Sequence, residues 1–438
     1  MKNKILNIEN FKEIQGKFNH TYLNGVYLAM NAIKDSYLLL DGPSCAYNKL
    51  HSIAKTHDLF SDLIRQNSTH RICCTRVRAN QSIVNDRSDE ISRLLLRISK
   101  EKDCSAVFTC SMPMATITGI QYDLIVNETQ NKTKIPLIEI PSKSLQGDWL
   151  DGYEETLISI ARKINFKENL KKTNNVAIVG YMFDRNEGDH LGNLKELQRI
   201  ISGLSLNLVS VWLNGGSFCE LQNIEKAQTI ISLPYGRRAA REIAKKTKSD
   251  LIELDLPFGI KNTKDWISAI AKKLNRAKEA KVLIEKEIQE IAPIVNLIAP
   301  DYFMGKTFSF YGDPYLTHAI TNSLMELGGK IDHAIIFGTP NSNKNLTFYN
   351  TPSFQIFYEP IYGDAFNIDT SKTDLLIGNS YIFNLLQTKN NQKPYLELGY
   401  PSFYYHCLIT SPFLGFKGYI NFLNRIVNNL NTNYETKY

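Results

Sequence analysis

The sequence predicts an α/β protein built from three consecutive Rossmann-like domains, each a mostly parallel sheet flanked by helices. Three observations predict it. The chain has 438 residues, more than one hydrophobic core organises, so two or three domains are expected. Short apolar runs alternate with amphipathic stretches of helical period, the pattern of βαβ units. A charged, Asn-rich break from Lys167 to Asn175 is followed at once by a new apolar run. The expected divisions are residues 1–170, 171–292 and 293–438.

In the first domain the strand candidates are Tyr37–Leu40, Ala106–Thr109 and Pro136–Ile140, with helices at Asp89–Lys100 and Tyr153–Ile164. Arg71-Ile72-Cys73-Cys74 is a further strand candidate. In the second, Val176–Tyr181, Leu206–Trp212, Thr229–Leu233 and Leu251–Leu254 read as strands, closed by one long charged helix from Thr263 to about Glu290. The third opens with Lys306–Asp313, then a helix from about Tyr315 to Leu327, strands at His333–Phe337 and Asp374–Ile377, and a final helix near Phe416–Asn429.

Composition narrows the function classes. Hydrophobic residues make up 43% and charged residues 22%, ordinary for a globular protein. No apolar run approaches a membrane span, and the first residues lead into charged sequence without an apolar secretory core; a cytoplasmic protein with no membrane partner is expected. The net charge of +7 is spread along the chain, as on the helix face from Lys272 to Lys286. It lacks the basic–aromatic interleaving of nucleic-acid binders. No Gly-x-Gly-x-x-Gly follows a strand, so a bound dinucleotide is unsupported. Gly305-Lys306-Thr307 has Pro300 where a phosphate-binding loop needs glycine, and a strand follows it. Any ATP hydrolysis therefore belongs to another polypeptide.

The seven cysteines are Cys45, Cys73, Cys74, Cys104, Cys110, Cys219 and Cys407. An odd number without a Cys-x-x-Cys pair argues against a disulfide framework, a zinc ribbon or a ferredoxin-type cluster within one chain. Cys45 and Cys110 each fall at or just beyond a strand end. Parallel sheets bind ligands beyond the carboxyl ends of their strands, so both sulfurs are candidates for one crevice. A tight turn after a strand, with Cys45 at a following helix N-terminus, favours the thiolate. Neighbouring strand residues face opposite sides, so Cys73 and Cys74 are weaker candidates, of which one faces that crevice. Both also suit a plain buried core.

Several stretches taken together resemble the nitrogenase component 1 superfamily, which includes the nitrogenase β chain, light-independent protochlorophyllide reductases and cofactor-maturation scaffolds. Leu40-Asp41-Gly42-Pro43-Ser44-Cys45 is similar to the family's strand-to-loop segment ending in a cluster cysteine. Ala106-Val107-Phe108-Thr109-Cys110 is similar to its strand ending in Thr-Thr-Cys, although Ile120-Gln121 stand where an Asp pair is expected. Gly305 to Pro314, Leu376-Ile377-Gly378-Asn379-Ser380-Tyr381, Leu398 to Phe403 with His406, Leu414 to Gly418, and Asn214-Gly215-Gly216-Ser217 resemble segments of the β-type chains, in order.

The resemblance implies a β-type subunit of a nitrogenase-like two-component reductase. It implies an iron–sulfur cluster (4Fe-4S or larger) shared with an α-type subunit in a heterodimer or heterotetramer, with electrons supplied by an ATP-dependent iron protein. Cys45 and Cys110 are the implied ligands. A further upstream cysteine of the family falls near Phe18-Asn19-His20, making His20 a weaker ligand candidate. His406, beside Cys407, is a candidate substrate or interface residue. Two alternatives stay open: a non-catalytic scaffold for assembling a nitrogenase-type metal cofactor, and an interaction protein on the same fold without metal.

Overall fold

The computed structural model describes residues 21–45, 71–77, 86–116, 118–143, 147–167, 172–182, 187–338, 354–358, 368–387, 393–402 and 404–431. His20 and the helix expected after Cys45 lie outside them.

Within these residues the first sheet follows helix α1 (Tyr22–Asn31). Its elements are β1 (Ser36–Asp41), β2 (Ile72–Cys74), α2 (Ser88–Ile98), β3 (Ala106–Ser111), the short α3 (Pro113–Thr116), α4 (Tyr122–Gln130) and β4 (Leu137–Glu139). Helix α5 (Trp149–Lys163) leads to the second sheet. That sheet comprises β5 (Lys172–Val179), α6 (Glu187–Gly203), β6 (Asn207–Val211), β7 (Ala227–Ser232), α7 (Arg237–Thr247) and β8 (Asp250–Glu253). Helices α8 (Ile260–Leu274) and α9 (Ala277–Tyr302) follow. The third sheet has β9 (Thr307–Gly312), α10 (Pro314–Glu326), β10 (Lys330–Ile336), β11 (Gln355–Tyr358), β12 (Leu375–Gly378), α11 (Ser380–Gln387) and β13 (Tyr395–Glu397), and α12 (Gly415–Asn431) is the last element of the described residues.

The strand orders are β2-β1-β3-β4, β6-β5-β7-β8 and β11-β10-β9-β12-β13. Every pairing is parallel. Strands buried on both faces explain the continuous apolar runs of the sequence.

Two expectations need correction. The single helix expected from Thr263 to Glu290 is two helices. Asn275 takes a left-handed conformation (φ 57°) and ends α8, its N–H donating to the Ala271 carbonyl; asparagine tolerates that conformation better than most residues. The break from Lys167 to Asn175 is in part strand. β5 starts at Lys172, and its first three residues are exposed, so their polarity reports exposure rather than a linker.

Helix α5 organises the interior. Residues Trp149 to Ala161 are all buried, among them Asp151, Glu154 and Glu155. Asp148 starts the helix with a capping box: its carboxylate accepts from the N–H groups of Leu150 and Asp151, and Asp151 accepts from the N–H of Asp148. The buried acids are matched in turn. Lys143 lies 3.8 Å from Asp151 and 3.6 Å from Glu155. Arg238 donates to Glu155 at 3.0 Å, and Glu154 accepts the Arg238 backbone N–H at 3.1 Å, at the N-terminus of α7, where a carboxylate is favoured.

Helix α5 crosses α1 at closest range through two glycines. A Cβ on Gly25 would overlap the Trp149 carbonyl oxygen, and one on Gly152 would overlap the Tyr22 carbonyl oxygen. Trp149 also meets the third sheet: its ring stands 5.4 Å from that of Tyr400, and Gly338 (φ 92°) packs beside its indole nitrogen. From α5, Tyr153 donates to the Tyr181 carbonyl just beyond β5 at 2.7 Å. One helix thereby touches all three sheet units.

Because neither backbone can retreat without opening the core, Gly25→Ala and Gly152→Ala should each destabilise the fold by about 1–3 kcal/mol or more through overpacking. Urea unfolding of each variant checks this. A change within about 0.5 kcal/mol, as for an ordinary surface substitution, would show that the crossing is not tight.

Candidate metal centre

At the carboxyl end of the first sheet, residue alternation separates two chemistries. Leu40 pairs in register with Cys74 on one side and Cys110 on the other. These three therefore share a face, the one packed against α1 and α5. Leu39, Cys73 and Val107 join the opposite cluster, beneath α2 and α4. The doublet Cys73-Cys74 is thus split across the sheet.

On the α2/α4 face lies a buried polar network. Asp41, the last residue of β1, is fully buried. Its carboxylate pairs with Arg87 at 2.7 Å and accepts from the Tyr122 hydroxyl at 2.5 Å and the Thr75 hydroxyl at 2.6 Å. Thr75 in turn accepts the Gly42 N–H at 3.0 Å. Arg87 reaches Glu90 at 3.1 Å. One carboxylate therefore ties β1, the end of β2, the start of α2 and the start of α4 together. It also fixes the first residue of the turn leading to Cys45. Alongside, the hydroxyls of Ser111, Thr116 and Ser142 form a chain at 3.0 and 2.9 Å.

On the α1/α5 face lie the Cys74 and Cys110 sulfurs. Cys45 is exposed, and Cys74 is partly buried. The Cys74 Sγ lies 3.1 Å from the Gly42 carbonyl and 3.4 Å from that of Pro43, inside the turn before Cys45. Burial raises the Cys74 pKa, and the negative charges of Asp41 and Cys45 add to the rise. Cys110 is 1% exposed, and burial with the nearby Glu139 pushes its thiol up to about 12. Glu139 itself is raised by burial, then by Asp123 and Glu155, to about 7.

The remaining sequence candidates lie elsewhere. Cys73 is raised chiefly by burial, and Cys104 is buried and pushed up to about 12 by the same cause. Cys219 is exposed beside the Ser217 hydroxyl at 3.1 Å. The Cys407 thiol donates to Asp189 at 3.1 Å, while His406 is exposed. Among the described residues no group of three or more His, Cys, Asp or Glu side chains is placed to hold a metal ion. Cys45, Cys74 and Cys110 are the sulfur donors at this end of the sheet, the donor type that iron–sulfur groups take.

Sequence reasoning did not find the Asp41–Arg87–Tyr122–Thr75 network. Its available signal was a lone carboxylate ending an otherwise apolar strand.

The chain belongs to the nitrogenase component 1 type oxidoreductase family, whose sequence model matches residues 22–431. Among named relatives, the nitrogenase molybdenum-iron protein beta chain of a Nostoc species is 25% identical over 362 residues, covering 74% of this chain and 67% of that protein. The beta chain of Azotobacter vinelandii is 22% identical, covering 72% and 66%. Subunit N of the light-independent protochlorophyllide reductase of a Synechococcus species is 22% identical, over 55% of each chain. A solved structure of nitrogenase Cp1 at pH 6.5 superposes with a TM-score of 0.80 at 16% identity, covering 100% of this chain and 96% of that one. Among the described residues no helix is long and apolar enough to cross a membrane.

Two outcomes follow. Asp41→Ala should leave buried Arg87 with only the exposed Glu90 as counter-charge and cost about 3–5 kcal/mol. In a double-mutant cycle, Asp41→Ala with Arg87→Met should cost clearly less than the sum of the single changes; strict additivity would show the pair to be uncoupled. For Glu139, the folded-state pKa of about 7 stands above its ordinary 4.5. The fold therefore favours the protonated form, and stability should fall as pH rises from about 4.5 through 7. Glu139→Gln should remove that fall and be the more stable form at pH 8, by denaturant melts at pH 5 and 8. An unchanged pH slope would contradict the assignment.

Proposed function

We propose that this chain is the β-type subunit of a nitrogenase-like two-component reductase. In this reading it holds part of an inter-subunit iron–sulfur cluster at the carboxyl end of its first sheet and receives electrons there from an ATP-dependent iron protein. The observation that carries the reading is the placement of Cys45: exposed, beyond the end of a central parallel strand, on a turn braced by Thr75 and by the buried Asp41–Arg87 pair. The beta-chain relatives point to the same class of partner, an α-type subunit that supplies the ligands this chain does not.

When bound, the iron–sulfur group would supply one-electron chemistry, with a potential set by net charge, burial and hydrogen bonds to its sulfurs. The chain's own residues do the positioning. Cys45 and one of the two strand cysteines flanking Leu40 provide thiolates. The Asp41 network keeps the turn from moving when its ligand changes charge, and the apolar α1/α5 face excludes water from behind the sulfurs. Tyr22, whose hydroxyl donates to the Pro141 carbonyl at 2.6 Å, closes that face at the start of α1.

The test is purification of the complex without oxygen, with its α-type partner, followed by iron analysis and electron paramagnetic resonance. Wild type should carry iron with a cluster signal that an iron protein and ATP reduce. Cys45→Ala should lose most of that signal. An iron-free wild-type complex, or an unaltered signal in Cys45→Ala, would reject the reading. A cluster present but never reduced by the iron protein would favour the assembly scaffold instead.

A further inference from the structure

We propose that the crevice between α7, α8 and α10, beyond the carboxyl end of β8, binds a small organic cation that also carries an acceptor oxygen. That is the chemistry of a basic amino acid. The proposal stands apart from the first sheet and does not depend on the iron reading.

β8 is an edge strand of the second sheet. Ligands of parallel sheets settle beyond the carboxyl ends of the strands. There the chain leaves β8 through Leu254, Asp255 and Leu256, α7 begins at Arg237, and α8 and α10 stand opposite. Together they bound a cavity of about 1150 Å³, roomy enough for a small metabolite. α7 and β8 belong to the second sheet unit and α10 to the third, so a ligand here would touch both.

The charges on its walls are unequal. Arg237 and Lys261 stand among four carboxylates: Glu253, Asp255, Asp265 and Glu326. Three of the four are matched. Arg237 donates to Asp255 at 2.9 Å, Arg241 to Glu253 at 2.6 Å, and Lys261 to Asp265 at 2.7 Å. Glu326 has the Lys261 N–H and only the longer-range pull of the Lys261 and Lys264 ammonium groups. Burial raises its pKa more than these lower it, and Asp265 adds to the rise. A carboxylate in that condition gains from a cation brought to it.

A second observation asks for an acceptor. Trp266 is 2% exposed and forms part of the wall, yet its indole N–H has no hydrogen-bond partner among the described residues. A buried indole N–H usually finds one, and an oxygen of the ligand would supply it. Asn322 also lines the cavity; its amide nitrogen lies 3.2 Å from His318, which leaves its carbonyl oxygen to accept from an ammonium. Leu254 and Met325 give apolar surface for an aliphatic chain to lie along. The surplus of carboxylates disfavours an anionic ligand, and the unpaired N–H disfavours a ligand without an acceptor. A basic amino acid meets both conditions.

The experiment titrates the full chain with L-lysine, cadaverine and L-glutamate, following heat of binding, tryptophan fluorescence and melting temperature. L-lysine should bind saturably, alter the fluorescence and raise the melting temperature with concentration, as a ligand of the folded state does. Cadaverine keeps two amines and lacks the carboxylate, so it should bind more weakly, and L-glutamate should not bind. Glu326→Gln should weaken L-lysine binding by about tenfold or more, the loss of one charge-assisted contact. Trp266→Phe should abolish the fluorescence change and bring L-lysine down to the affinity of cadaverine. Glu285→Gln, at an exposed carboxylate on α9, should bind as wild type, and circular dichroism checks that each variant folds. No saturable binding of L-lysine, or a Glu326→Gln variant that binds it as wild type does, would overturn the proposal. Cadaverine binding as tightly as L-lysine would overturn the part given to Trp266. Binding of a lysine-rich peptide but not of free L-lysine would overturn the small ligand in favour of a protein partner.

Discussion

The crossing of α1 over α5, backbone against backbone at Gly25 and Gly152, is the contact on which the rest of the architecture depends. Close approach draws the first sheet's supporting helix onto a helix whose other sides touch the second and third sheets. It also removes water from a helix carrying three acids. Burying such charges is costly unless each is matched. The matches come from different units: Lys143 from the segment after β4, and Arg238 from α7, which follows the 3-10 turn Pro234–Gly236. The acids of α5 thereby make the packing of neighbouring units specific as well as tight, because a shifted helix would strand a carboxylate without its cation.

The same economy of position governs the candidate centre. A parallel strand offers alternate residues to opposite faces, and β1 uses both at its end. Asp41 turns toward α2 and α4 and is locked by Arg87, Tyr122 and Thr75. The turn that follows carries the exposed Cys45, and the Cys74 sulfur lies against its Gly42 and Pro43 carbonyls. The ion pair stabilises no ligand directly. It fixes the strand ends and, through Thr75, the first residue of the turn that carries Cys45.

Much of this was legible in the sequence where chemistry is local. The apolar runs gave most of the strands, and the Gly42-Pro43-Ser44-Cys45 turn could be placed at a strand end from its residues alone. What escaped depends on distance along the chain. Tyr122 meets Asp41 across 81 positions and Arg87 meets it across 46, and no periodicity links them. Gly152 reads as a mild weakness in a helix until the facing backbone is known. The sequence pattern starts α5 at Tyr153, whereas the helix starts at Trp149, where Asp148 and Asp151 form a capping box. Asn275 shows the reverse case: a single left-handed residue interrupts a pattern whose charge and period continue smoothly across it.

The three sheets also close their carboxyl ends by different means, and the difference locates the chemistry. Beyond β5, Gly180 (φ 83°) and Gly236 bring two backbone segments into contact, leaving no side chain at that point. Beyond β9, the buried Asp313 caps α10 through the N–H groups of Tyr315 and Leu316 and accepts from the Tyr235 hydroxyl; burial lifts it to about 6, and its lone pairs are already committed. Beyond β13, Glu397 holds the chain that returns past it, accepting the N–H groups of Tyr404 and Tyr405. These ends are filled by their own backbone and side chains. Among the described residues beyond β1, the exposed donor is the sulfur of Cys45, and sulfur is the donor that a soft or borderline metal selects. Geometry common to all three sheets thus becomes a candidate site just beyond β1, where Cys45 is exposed.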